Sequence, residues 1–238
     1  MLRLWVNFLL LACFCCASLT AWAATPQPVG TAYKQRYMNL VAAASCLGVY
    51  LPEEGHEFDY LRSFGWEITS QQVTQGKVET NFAIAKNYYP EQKKQFYLVT
   101  FRGSASKKDW MLNLRTERVN YGGVTLAEME QVAAQPLDKE QPAVHSGFNS
   151  YVQTVLRSAV IDENGQWQGV FRDTLSNPDA YLILTGHSLG GAVATLLGER
   201  LVSLGFPKDK LTVVSFGAPA IGNQAFADTY GTSINLVR

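Results

Sequence analysis

Gly186-His187-Ser188-Leu189-Gly190 has the form G-x-S-x-G, a serine with a glycine two positions away on either side. A serine hydroxyl works as a nucleophile when it stands clear of its own backbone, near a group that takes its proton and donors that receive the oxyanion it creates. A tight strand-to-helix elbow supplies the first condition. It holds the serine in a strained backbone conformation, and glycines leave space where a side chain would strike neighbouring chain. The chemistry such a serine serves is acyl transfer.

The elements around the motif fit that geometry. Ala180 to Leu184 is an apolar, β-prone run leading into Thr185 and the elbow, and Gly191-Ala192 follows it. Beyond lies a helical pattern in which Val193, Leu196, Leu197, Leu201 and Leu204 share one face, with Gly205 placed as the C′ residue and Pro207 just after it. The plainer alternative is a buried strand turning into a helix through small residues, with Ser188 inert. The strand–turn–helix context is what the motif requires, so Ser188 is assigned as the nucleophile.

Further along the chain, Tyr33 to Leu51 reads as a helix with Tyr37, Leu40, Val41, Ala44 and Leu47 along one stripe. Residues 52–93 are mixed and polar, with Trp66-Glu67-Ile68-Thr69 and Phe82-Ala83-Ile84-Ala85 as candidate edge strands. Gln95 to Phe101 is nearly continuously apolar, the mark of a strand buried on both faces, and it stops at Arg102-Gly103-Ser104. Lys107 to Pro142 is polar with a Gly122-Gly123 turn, and helical periodicity resumes from Ser146 through Leu156. Lys210 to Phe216 is another buried strand, ending at Gly217-Ala218-Pro219. Alternating strands and helices predict an α/β fold with a mostly parallel, doubly wound sheet.

Four blocks stand in order. They are Val99-Thr100-Phe101-Arg102-Gly103-Ser104 with Asp109-Trp110; Val144-His145-Ser146-Gly147-Phe148; Gly186 to Gly191; and Ser215 to Asn223 with Phe226-Ala227. This set resembles the fungal-type (class three) lipases, a branch of the α/β-hydrolases, over roughly Tyr33 to the last residue. The resemblance implies an esterase acting on acylglycerols or related lipid esters without a cofactor or metal, with transient contact to a lipid–water interface. It assigns Ser188 as nucleophile and Ser104 as the oxyanion residue, and the Leu189 N–H as the second oxyanion donor. Donors already aimed at the developing alkoxide avoid reorganisation, each worth on the order of 3 kcal/mol. Residues after Ser104, including Asp109 and Trp110, correspond to the lid region, where Lys107-Lys108-Asp109 is too polar for a strongly apolar lid.

The sequence departs from the family in its acid and base. Hydrolase order runs nucleophile, acid, histidine, yet His56, His145 and His187 all precede Ser188. His145 sits in a block to which the resemblance gives a structural role, His187 adjoins the nucleophile on a tight turn, and His56 reads as a solvated loop residue. The later aspartates, Asp209 and Asp228, fall in a turn and on a helix rather than at the end of the strand after Gly217-Ala218-Pro219. Ser233 to Arg238 reads as the start of that next strand. The expectation is therefore a hydrolase domain over residues 24–238 that is partial and incomplete at the C-terminus, lacking the triad acid and base and inactive as it stands. The alternative from another functional class is a non-catalytic lipid- or surface-binding protein that keeps the fold.

Composition narrows the partners. Lys plus Arg and Asp plus Glu are each 20 in 238 residues, which leaves no basic footprint for nucleic acid. Three of the four cysteines, Cys13, Cys15 and Cys16, lie in the N-terminal apolar run and only Cys46 lies beyond it. No spacing of Cys and His suggests a metal site. Residues 1–23 read as a signal peptide: Arg3, an apolar run from Phe8 to Ala17, and Ala21-Trp22-Ala23 as the cleavage pattern. The run is shorter than the roughly 20 apolar residues a membrane span needs. A lipoprotein signal at Leu10-Leu11-Ala12-Cys13 is the alternative, and it would leave a very short hydrophobic core. The localisation expected is secreted or periplasmic. Amino-terminal sequencing of exported protein should begin at Ala24; material that begins at Met1 would refute the signal.

Overall fold

The computed structural model describes residues 31–50, 58–75, 78–103 and 117–238. The expected export segment, His56, Ser104, Asp109 and Trp110 lie outside them. By its contacts the chain divides into Met1–Met38 and Asn39–Arg238; the sheet and the site belong to the second unit.

The sheet has six strands: β1 (Glu67–Gln75), β2 (Val78–Tyr89), β3 (Lys94–Phe101), β6 (Ala180–His187), β7 (Leu211–Phe216) and β8 (Leu236–Val237), in spatial order β1-β2-β3-β6-β7-β8. The pairs from β3 through β8 are parallel, and β1, β2 and β3 pair antiparallel. Two short strands, β4 (Arg118–Asn120) and β5 (Ala143–His145), form a separate antiparallel pair. β8 lies within the segment expected to begin a strand.

The apolar runs work as expected for buried strands. The β3–β6 register sets Val99 beside Leu184 and Thr100 beside Thr185. Because side chains alternate, the two pairs face opposite ways. Val99, Leu182 and Leu184 join the main core with Val193, Leu196, Leu197 and Leu201 of α6 (Leu189–Ser203) and with Phe148, Val152 and Val155 of α4 (Ser146–Val155). On the other face, Thr100 and Thr185 meet α1 (Thr31–Gly48). The Ser45 and Thr100 hydroxyls are 2.5 Å apart, and Cys46 Sγ lies 3.5 Å from Thr185 Oγ1. Burial pushes the Cys46 thiol up to about 11, against the pull of that contact with Thr185.

The α1 stripe is rotated from the expected one. Val41, Ala42, Ser45 and Cys46 are buried, whereas Leu40 and Leu47 are 53% and 71% exposed. Small side chains let the helix approach the threonine face closely enough for polar contacts, and the larger leucines are turned outward. The 52–93 segment also differs, because its polar residues belong to a long hairpin. β1 is the edge strand, but β2 lies inside the sheet between β1 and β3. Within Lys107 to Pro142 the structure adds β4 and α3 (Leu126–Ala134), capped by Thr125 Oγ1 accepting the Glu128 N–H at 3.2 Å.

α6 ends as the sequence indicates. Gly205 has φ +94°, its N–H bonds the Val202 carbonyl at 2.9 Å, and the Phe206 N–H bonds the Leu201 carbonyl at 2.8 Å, a Schellman closure. The helix is not one-faced, however. Every residue from Gly190 to Leu201 is buried, including Glu199 and Arg200. Tyr121 donates its hydroxyl to Glu199 Oε2, Ser203 donates to Oε1 at 2.6 Å, and Arg200 Nη1 donates to the Gly122 carbonyl at 2.8 Å. Desolvation raises the Glu199 carboxyl above its ordinary 4.5 and lowers the Arg200 guanidinium to about 10.

The sign of the Glu199 effect is testable. A raised carboxyl pKa means the folded state favours the protonated form, so its stabilisation is complete below pH 4.5 and falls as pH rises through the folded value. Glu199→Gln should therefore gain stability relative to the parent between pH 4 and pH 7, read as urea midpoints at the two pH values. An unchanged difference would contradict the assignment.

Candidate active site

Ser188 is the junction residue between β6 and α6 and has φ 57° and ψ −124°. Only one other described non-glycine residue, Lys93, has positive φ. Such a conformation is held by its surroundings. The Ser188 N–H donates to the Phe216 carbonyl of β7 at 2.9 Å, and the Ser188 carbonyl accepts from Gly191 and Ala192 at 3.0 and 3.2 Å. Its side chain makes no capping hydrogen bond to the helix, and the residue is half-buried. The hydroxyl is therefore not spent on local structure.

The glycines have steric reasons. A Cβ on Gly186 would lie 2.2 Å from the Gly190 carbonyl carbon, and one on Gly190 would lie 2.1 Å from the Phe101 carbonyl oxygen. These are backbone atoms with no rotamer to escape through. The elbow therefore packs directly on the end of β3, just before Arg102-Gly103. A Cβ on Gly103 would in turn meet the His187 carbonyl oxygen at 2.8 Å. Ser104 follows Gly103 and lies outside the described residues. Leu189 is the first helical residue, so its N–H is one of those with no acceptor inside the helix.

The four sequence blocks meet here. The first and third touch at Gly103 and Gly190, and the fourth receives the Ser188 N–H at Phe216. The second and fourth are joined by the His145 N–H on the Ile221 carbonyl at 3.0 Å and the Asn223 N–H on the Ala143 carbonyl at 2.9 Å. Asn223 Oδ1 accepts the Ala143 N–H at 3.0 Å and also caps α7 (Gln224–Tyr230) through Phe226 at 2.9 Å.

His145 stands at the start of α4. Its Nδ1 accepts the Gly147 N–H at 3.1 Å as the cap of α4, and its ring stacks on Phe148 at 4.4 Å. The His187 side chain is exposed, with its Nδ1 3.4 Å from the Tyr50 hydroxyl. Asp209 lies in a 3-10 turn, Lys208–Lys210, and Asp228 is exposed on α7. Tyr50 was not legible from sequence, because nothing in its local pattern marks it as a neighbour of residues 103 and 187. Among the described residues no three His, Cys, Asp or Glu side chains cluster in a way that could hold a metal, and no helix is long and apolar enough to cross a membrane.

The sequence profile of the family Lipase (class 3) matches residues 98–238. The chain belongs to that family. Among relatives of this chain, a chloroplastic phospholipase A(1) of Arabidopsis thaliana is 32% identical over 133 residues, covering 54% of this chain and 28% of the relative. The secreted mono- and diacylglycerol lipase 1 of Fusarium solani is 30% identical over 162 residues, covering 68% of this chain and 41% of the relative. The chain thus spans less than half the length of these curated relatives. A solved Rhizomucor miehei lipase–propeptide complex has TM-score 0.60 at 21% identity, covering 85% of this chain and 59% of that one. This likeness shows the α/β-hydrolase fold.

The Gly190 contact generates a prediction. Gly190→Ala forces a Cβ into the Phe101 carbonyl, so the elbow or the end of β3 must shift, at a cost of about 3 kcal/mol for overpacking a rigid site. Chemical denaturation should show a loss of this size; a variant as stable as the parent would contradict the contact.

Proposed function

We propose that this class 3 lipase is an exported carboxylic-ester hydrolase whose nucleophile is Ser188, acting on acylglycerol or phospholipid acyl esters. The observation that carries the proposal is the strained Ser188 backbone at the β6–α6 junction with a hydroxyl that makes no capping bond to the helix. The names of the Fusarium and Arabidopsis relatives support lipid esters as the substrate class.

In the reaction, Ser188 Oγ attacks the ester carbonyl as its proton passes to a base. The carbonyl oxygen becomes an alkoxide, received by the Leu189 N–H and by Ser104. Collapse of the tetrahedral species expels the alcohol, which takes up a proton, and leaves acyl-Ser188. Water then attacks the acyl carbon, releases the carboxylic acid and restores the serine. The N-terminus of α6 adds a positive dipole end where negative charge develops.

The base is not assigned within these 238 residues. His145 Nδ1 is occupied by its helix cap, His187 stands beside Tyr50, and no histidine follows Ser188. Without a base the hydroxyl is a poor nucleophile at neutral pH. The 238-residue chain should hydrolyse p-nitrophenyl butyrate no faster than its Ser188→Ala variant. Added imidazole, standing in for the missing base, should restore an increment that Ser188→Ala lacks. Robust unassisted turnover abolished by Ser188→Ala would overturn the base argument. No imidazole-dependent increment would overturn the nucleophile, and the non-catalytic binding reading would then be preferred.

A further inference from the structure

We propose that Tyr50 is a positioning residue for the nucleophile elbow: its hydroxyl ties Gly103, just past the end of β3, to His187, the residue before Ser188. This rests on the role of Ser188 proposed above.

Gly103 and Ser188 come from different chain segments, one after β3 and the other after β6. The β3–β6 ladder fixes these strands relative to one another only as far as its last pair, Phe101 with Gly186. Beyond it, the Arg102 N–H turns to the other neighbour and bonds the Asn81 carbonyl of β2 at 2.9 Å. Tyr50 takes over where the ladder stops. Its hydroxyl donates to the His187 carbonyl at 3.2 Å. The same oxygen stands against Gly103, whose backbone opposes the rise in phenol pKa that burial causes.

One phenol has one proton and can also accept. Giving the proton to the carbonyl of His187 and accepting from the Gly103 N–H joins both segments through a single atom. The fit is close, since a Cβ on Gly103 would stand 1.9 Å from that oxygen. The His187 ring packs edge-on against Tyr50 with centroids 5.8 Å apart, which holds the phenol in place. Tyr50 touches no reacting atom in this arrangement. It acts through Gly103 and His187.

The test compares the 238-residue parent, Tyr50→Phe and Ser188→Ala. Phenylalanine keeps the ring and removes only the hydroxyl. Amide hydrogen exchange of Gly103 by NMR should accelerate about ten-fold or more in Tyr50→Phe, the scale of one lost hydrogen bond, while amides of Leu182 to Thr185 stay within about two-fold. The imidazole-rescued, Ser188-dependent ester hydrolysis should fall about ten-fold, a fraction of the loss expected from removing a donor outright, with half-saturating substrate unchanged. Unchanged exchange at Gly103 would overturn the tie. Faster exchange throughout β3 and β6 would make Tyr50 a general stabilising residue and overturn a positioning role. Rescued turnover equal to the parent would do the same. A parent without any Ser188-dependent increment would remove the nucleophile reading and this proposal with it, whereas failure of the tie alone would show at Gly103.

Discussion

The contact between Gly190 and the Phe101 carbonyl is the constraint on which the rest of the site depends. A helix can begin immediately after a central strand only if its first turn comes down onto the neighbouring strand end without a side chain between them. With a hydrogen at position 190, α6 lies against β3, and Ser188 is held at φ 57° with a hydroxyl that makes no capping bond to the helix it precedes. The strain is balanced by burial. Val193, Leu196, Leu197 and Leu201 are fully removed from water, each worth about 1.5–3 kcal/mol, and they pull the helix onto the sheet. Stability of the core thus holds the serine in a conformation it would not adopt alone.

The same helix carries charge through the interior. Glu199 and Arg200 are among its buried residues, and their partners come from the Tyr121–Gly122 turn and from Ser203 within the helix. Arg200 also lies over the Tyr121 ring, 3.5 Å from its centroid. A buried polar group is costly unless it is hydrogen-bonded, so the Glu199 oxygens and Arg200 Nη1 admit few arrangements of the turn that meets them, while Arg200 Nη2 is buried without a partner among the described residues. They fasten the segment after β4 to the helix that presents the nucleophile. Tyr151 plays a comparable part on the opposite flank, its hydroxyl donating to the Asn81 carbonyl at 2.9 Å and accepting the Asn81 N–H at 3.0 Å. Burial raises that phenol far above its ordinary range, consistent with a neutral donor fixed in the core.

Several features of the fold were legible because they obey local rules. The runs 95–101, 180–184 and 210–216 are predominantly apolar because the strands are covered on both faces, and Gly205 closes α6 because a left-handed residue is needed there. The glycines flanking Ser188 reveal the elbow because no other residue clears the backbone atoms they meet. Less was legible where burial depends on a partner far along the chain. α1 buries Ser45 and Cys46 instead of Leu40 and Leu47, because the surface it meets is a pair of threonine hydroxyls contributed by residues 100 and 185.

By itself the sequence determined the elbow, its nucleophile candidate, the order of the strands along the chain and the family, since each rests on residue types at fixed short spacings. Tertiary structure alone decided that β2 is interior, that His145 caps a helix, that Glu199 and Arg200 are buried, and that Tyr50 stands between Gly103 and His187. The reason is the same in each case. A periodic pattern reports which side of an element is apolar, but a hydrogen bond between residues 50 and 187 depends on how α1 and β6 are brought together by the whole sheet, and no local spacing encodes that distance.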